Sequence, residues 1–130
     1  MGMNYLWDTN TAIYYLQQHF PPSSEKFIDE LLINKQPIIS VITEIELLCW
    51  KSSKEEDLKV LRNFINVALV IEFDQDIKFK TADIRKAHRI KLPDAIIAAT
   101  ANVYQLTLLT RNVSDFDGIS GLEIMNPWEK

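Results

Sequence analysis

Lys91-Leu92-Pro93-Asp94-Ala95-Ile96-Ile97-Ala98-Ala99-Thr100-Ala101 places a lone carboxylate at the entrance to a segment too apolar to lie on a surface. Pro93 suits the first helical position, where its fixed φ costs nothing and its missing N–H is not wanted, so Asp94 falls in the first turn. There the positive end of the helix dipole and the free N–H groups favour the ionised aspartate. Ala98 and Ala101, on the same side of the helix, let neighbouring backbone come close. In isolation such an Asp reads as a cap on its own helix. An ionised, crowded and nearly buried carboxylate usually has a partner, and the rest of the chain supplies candidates.

Outward from that helix, apolar spacing and turn signals divide the chain into alternating strands and helices. Residues 3–7 read as a short apolar strand ending in Asp8-Thr9-Asn10, and helical spacing resumes at Ile13 and Leu16. Pro21-Pro22 breaks the chain, Ser23 or Ser24 can cap, and Phe27, Ile28, Leu31 and Leu32 form the stripe of a second helix. Residues 37–40 are a buried strand; Ser40 can cap a third helix over 41–50 whose inward arc is Val41, Ile45 and Leu48. A fourth helix, over 53–66, turns Leu58, Leu61, Phe64 and Ile65 inward and is expected to make a hairpin with the third. Residues 67–73 have the β-branched run of a buried strand, and 74–88 read as an amphipathic helix. After the central helix come a strand over 106–110, a polar turn over 111–116 and a last short strand over 122–125. No repeat or long linker interrupts this order. It predicts one α/β domain over 1–130, a mainly parallel sheet of about five strands with helices on both faces.

Composition narrows the function. At 130 residues, 47% of them hydrophobic, the chain can bury one real core. No apolar run approaches the roughly 20 residues that cross a bilayer, and no secretion-signal layout opens the chain, so a cytoplasmic protein without a membrane partner is expected. The single cysteine, Cys49, excludes an internal disulfide or a cysteine-rich zinc site, and beside Ile45, Leu48 and Trp50 it reads as core packing. A net charge of −4 argues against coating nucleic acid by bulk electrostatics. Yet Lys78, Lys80, Arg85, Lys86, Arg89 and Lys91 stand within 78–91 against only Asp83, a run that fits either a solvated helix face or a nucleic-acid contact. His19 and His88 read as ordinary helix-end residues.

In a parallel sheet the functional cleft lies beyond the carboxyl ends of the strands. Asp8 and the turn after Thr110 fall just past strand ends, and Asp94, at a helix N-terminus, faces the same edge. Taken singly, Asp8 is an N-cap and Asp115 a turn residue. Glu44 projects between Leu47 and Leu48 at the border of the inward arc, with Glu46 at the arc's far margin, and a buried carboxylate wants a cation. Asp8, Glu44, Asp94 and Asp115, gathered at one sheet edge, would repel one another unless something positive lay between them. Hard oxygen ligands in this number suit Mg²⁺ or Mn²⁺, and such a site predicts phosphodiester hydrolysis.

The ordered set Trp7-Asp8-Thr9-Asn10, Ser40-Val41-Ile42-Thr43-Glu44-Ile45-Glu46-Leu47-Leu48, Leu92-Pro93-Asp94-Ala95 and Leu109-Thr110-Arg111-Asn112-Val113-Ser114-Asp115-Phe116 resembles the PIN-domain nucleases. It is most similar to the VapC-type toxins of bacterial toxin–antitoxin pairs. The closing Asn126-Pro127-Trp128 is similar too, so the resemblance covers almost the whole chain. It implies a PIN-like fold and a metal-dependent endoribonuclease acting on RNA. It also implies a VapB-like antitoxin partner and a homodimer. By position, Asp8, Glu44 and Asp94 match the family's first three metal-site acids. Asp115 is taken as the fourth, with Asn112 a hydrogen-bonder in the site. On this reading Asp8, Asp94 and Asp115 hold the first metal, Glu44 completes the site or acts on the attacking water, and the product carries a 5′-phosphate. Thr9 and Thr110 orient carboxylates or waters. Arg111, Arg85, Lys86, Arg89 and Lys91 are the candidates to neutralise RNA phosphates. The apolar hairpin over 41–65, with Trp50 near its bend, is the expected antitoxin surface.

Two rivals accompany this reading. A haloacid-dehalogenase-like phosphatase also opens with an Asp after its first strand, but needs a second Asp two residues on, where this chain has Asn10. A catalytically silent PIN-fold binding module would keep the fold without a complete set of acids.

Overall fold

The expected strands appear as β1 (Tyr5–Trp7), β2 (Ile38–Ser40), β3 (Leu69–Ile71), β4 (Thr107–Leu109) and β5 (Ile124–Met125) in a computed structural model that describes residues 4–129. The expected start of the first strand at residue 3 lies outside the described residues. All pairings are parallel, in the order β3-β2-β1-β4-β5. Between the strands run α1 (Thr9–Leu16), α2 (Pro22–Asn34), α3 (Val41–Leu48), α4 (Glu55–Val67), α5 (Gln75–Ala87), α6 (Leu92–Tyr104) and α7 (Val113–Phe116), with a final 3₁₀ turn at Pro127–Glu129.

Such short strands hold because both faces of the sheet are buried, and successive side chains enter opposite cores. Leu6 and Leu108 join a core made with Ile77 and Ile84 of α5 and with α6, whose residues from Ala95 through Ala101 are all buried. Trp7, Ile39 and Leu109, one residue further along, enter the other core with Ala12, Ile28, Leu47, Leu61 and Phe64 from α1 to α4. The alanines of α6 let α5 lie against it along their shared length. Among the described residues, no helix is long and apolar enough to cross a membrane.

Several local expectations are revised. The inward face of α3 is Thr43 and Leu47; Ile45 and Leu48 are 50% and 60% exposed. Cys49 is exposed rather than packed in the core. α3 packs on α1 and α6, so the expected hairpin with α4 is not the organising contact. An apolar arc read from α3 alone does not tell which side of the helix other elements cover: Val41 is half-buried, while Ile45 and Leu48 are exposed. The polar turn after β4 contains a helix, α7, because Asn112 can accept from the Asp115 N–H at 3.1 Å.

α2 starts at Pro22, with Pro21 as its cap residue, so neither Ser23 nor Ser24 caps it. Ser24 is fully buried with its hydroxyl unpaired among the described residues. A buried polar group without a partner costs about 1–3 kcal/mol, and Ala is also the better helix former. Ser24→Ala is therefore expected to raise the urea midpoint, by about 1 kcal/mol of stability, with RNA cleavage unchanged. An unchanged or lower midpoint would show that the hydroxyl is satisfied by water.

Candidate active site

The sheet order reverses at β1, which lies between β2 and β4, and this is where open α/β sheets form a crevice at their carboxyl edge. The register Trp7↔Leu109 sets Asp8 beside Thr110 just past the two strand ends. Asp8 caps α1: its Oδ1 accepts the Thr11 N–H at 2.8 Å, as the isolated reading expects. Its Oδ2 accepts from the Thr110 hydroxyl at 2.5 Å, and the Thr110 hydroxyl oxygen accepts the Asn112 N–H at 3.0 Å. The carboxylate is thus oriented from two elements at once. Asn112 enters this arrangement through its backbone; its side-chain amide makes no hydrogen bond among the described residues.

Asp8 is nearly buried, and burial pushes its carboxyl above the ordinary aspartate range, against the lowering effect of the Thr110 and Thr11 hydrogen bonds. Asp94, in the first turn of α6, is half-buried and also pushed up. Burial is the largest cause, followed by the negative charges of Asp115, Glu46 and Asp8, while Lys91 acts in the opposite sense. This reverses the expectation that the helix dipole would favour its ionised form. Desolvation and three neighbouring carboxylates outweigh the partial charge of one helix end. Asp94 accepts no capping hydrogen bond, so the cap reading of this residue has no support among the described residues.

The second acid of the cluster is Glu46. Thr9 Oγ1 donates to Glu46 Oε1 at 2.5 Å and lies 3.0 Å from Thr43 Oγ1. With its one proton committed to Glu46, Thr9 must accept from Thr43, giving a relay from a buried hydroxyl to the carboxylate. Glu46 also raises both Asp8 and Asp94 through its charge. Glu44, two residues earlier on the other side of the buried Thr43–Leu47 stripe, makes no hydrogen bond or ion pair among the described residues. The structure therefore gathers Asp8, Asp94 and Asp115, and brings Glu46 rather than Glu44 to them. No signal within α3 separates the two glutamates, which flank the buried Thr43–Leu47 stripe on either side; the hydroxyl of Thr9, from α1, does.

Of the basic candidates, Lys91 stands next to Asp94 at the start of α6. Arg85 Nε donates to the Ile90 carbonyl at 3.1 Å and ties down the α5–α6 connection. Lys86 and Arg89 are exposed near that connection, and Arg111 is exposed just after Thr110. The only ion pair among the described residues, Arg62 with Glu55, lies on α4. Three carboxylates, from Asp115, Glu46 and Asp8, thus oppose the charge of Asp94, and Lys91 favours it. All their donors are hard oxygens, the set that Mg²⁺ or Mn²⁺ selects. As placed, no three acidic, His or Cys side chains among the described residues stand close enough to share an ion. Glu46 and Asp115 are exposed.

A parallel sheet with this strand order and an acidic crevice at its switch point defines a class, and the chain belongs to the PIN domain family, whose profile matches residues 5–121. It is 30% identical to Ribonuclease VapC2 of Rickettsia felis, over 98% of this chain and all of that protein. It is 28% identical to the tRNA(fMet)-specific endonuclease VapC of Salmonella typhimurium, over 94% of this chain and 96% of the other. Among solved structures, VapBC2 from Rickettsia felis bound to a promoter DNA fragment matches with a TM-score of 0.80 at 28% identity, covering 95% of this chain and 98% of that one. DNA-bound VapBC from Salmonella typhimurium matches with a TM-score of 0.81 at 26% identity, covering 97% and 99%.

Proposed function

We propose that this chain is an endoribonuclease, the toxin of a toxin–antitoxin pair, which depends on Mg²⁺ or Mn²⁺ held by Asp8, Glu46, Asp94 and Asp115. The observation that supports the site is geometric: the register beside the switch point sets Asp8 against Thr110, Thr9 donates to Glu46, and Asp94, at the start of α6, is opposed by the charges of Asp115, Glu46 and Asp8. Relatives named as ribonuclease and endonuclease along nearly their full lengths support the activity. Solved VapBC complexes of the same fold support a VapB-like antitoxin as the partner.

When bound, the ion supplies a water of lowered pKa and neutralises charge that develops on the phosphodiester. The chain supplies orientation. Thr110 and the first turn of α1 fix both oxygens of Asp8, and Thr9 fixes one oxygen of Glu46, leaving its second free. Glu46, exposed and hydrogen-bonded at one oxygen only, is the residue we assign to take a proton from the attacking water. Lys91, Arg89 and Lys86 line the approach from α5 and α6 and neutralise phosphates of the strand. The exposed Ile45 and Leu48 of α3 are an apolar surface for a second copy or the antitoxin.

The test is incubation of the purified full chain with a broad RNA panel in Mn²⁺, Mg²⁺ or EDTA. Internal cleavage that leaves 5′-phosphate ends and stops in EDTA is expected. A folded protein that cuts none of the panel with either ion would leave the silent binding module as the better reading.

The raised carboxyls also couple stability to pH. Between the ordinary aspartate range near pH ~4 and the raised values in the fold, the native state holds protons that the unfolded chain has lost. Without divalent ions, the stability contributed by these groups therefore falls as pH rises through that window. An ion that binds the ionised carboxylates restores it. The increase in Tm on adding Mn²⁺ is expected to be larger at pH ~7.5 than at pH ~5, by thermal melts at fixed ionic strength. An increase independent of pH would place the ion elsewhere.

A further inference from the structure

The register of the sheet delivers a second feature to the carboxyl edge. β5 pairs with β4 through Leu109↔Met125, and the Thr110 N–H donates to the Met125 carbonyl at 3.0 Å, so the chain leaves β5 directly beside Thr110. Asn126 then turns it, its Oδ1 accepting the Trp128 N–H at 2.9 Å. The Trp128 indole packs against Phe20, with ring centroids 4.6 Å apart, and edge-on against Tyr14 at 5.0 Å. Over this indole lies the Arg111 guanidinium, 5.2 Å from the ring centroid. Arg111 directly follows Thr110, the residue that holds Asp8, and forms no ion pair among the described residues.

Resting on the ribonuclease reading above, we propose that Trp128 is a positioning residue that holds Arg111 as a phosphate clamp for RNA at the rim of the acidic cleft. Four carboxylates repel a polyanion, so a strand that enters needs cations placed at the rim. Lys91 occupies the α6 side and acts on Asp94; Arg111 occupies the β4 side. A guanidinium with one face against an indole keeps its edge N–H groups free to pair with two phosphate oxygens. It also has less freedom left to lose when it does so. The aromatic packing of Trp128 on Phe20 and Tyr14 gives that platform a fixed position.

The experiment compares Arg111→Ala, Trp128→Leu, Trp128→Phe and the Arg111→Ala/Trp128→Leu pair in the full chain. Steady-state cleavage is measured in Mn²⁺, and binding of single-stranded RNA in EDTA over a series of salt concentrations. Each of the first two single variants is expected to raise KM about tenfold, the size of one charge-assisted contact, with kcat within about twofold. In Arg111→Ala the salt dependence of binding should lose about 0.7 from its slope, as for one phosphate contact on a single strand, whereas Trp128→Leu, which keeps the charge, should retain most of the slope. Trp128→Phe should recover most of the loss in KM, and the double variant should be no worse than Arg111→Ala. A merely structural Trp128 would instead lower kcat and Tm, and its loss would add in full to that of Arg111→Ala; either result overturns the proposal. So does a wild-type KM and slope in Arg111→Ala. An Arg111→Ala protein that cuts RNA normally but escapes an antitoxin would assign the cation to that protein's docking surface instead. If Trp128→Leu does not fold, Arg111→Lys serves in its place: the charge remains, so the slope should recover while KM stays raised. The slope in EDTA is read without cleavage, so failure of the clamp is distinct from failure of the nuclease.

Discussion

Asp94→Asn is expected to lower RNA cleavage by more than about 100-fold, beyond what losing an outer-shell partner of a metal site costs. In the absence of divalent ions the same variant is expected to be the more stable protein. Asp94 is half-buried, accepts no hydrogen bond among the described residues and is opposed by Asp115, Glu46 and Asp8. Removing its charge relieves that repulsion. After allowance for solvent screening the gain is of order 1 kcal/mol, or roughly 3–5 °C in Tm for a chain of this size. Adding Mn²⁺ should reverse the order, because the wild type regains through binding what repulsion takes away. Melting curves of both proteins with and without Mn²⁺, beside cleavage rates, decide it. A variant less stable than wild type in EDTA would mean that Asp94 is held by interactions that stabilise its charge, and that the cluster is not a strained one.

The second expected result separates two glutamates on one helix. Glu46→Gln should reduce kcat by about 10–100-fold, whereas Glu44→Gln should leave cleavage within about twofold of wild type. On α3 both residues flank the buried stripe of Thr43 and Leu47, one on either side, so helix geometry alone gives them equal standing. They differ in what each side meets. Thr9 at the start of α1 donates to Glu46, and the charge of Glu46 reaches Asp8 and Asp94; Glu44 has no such partner among the described residues. Cleavage assays on both variants at saturating RNA would return the role to Glu44 if the losses came out the other way round.

The same contrast runs through the whole molecule. Local signals in the chain determined the alternation of strands and helices, Ser40 as the cap of α3, Asp94 in the first turn of α6 and the burial of α6 through its alanines. Each depends on spacing and side-chain size within a few residues. The parallel sheet followed from that order, since strands joined by helices must run the same way. What no single segment carries is which flank of a helix another segment will cover. That is why Ile45, Leu48 and Cys49 read as core and are exposed, and why Asp94 read as dipole-stabilised yet is pushed up by burial and by three carboxylates from other elements. The pairing of Arg111 with Trp128, 17 residues apart, likewise exists only once β4 and β5 lie side by side. Propensity and capping act over one or two turns and are written in the chain; burial and electrostatics sum over neighbours that only the folded sheet brings together.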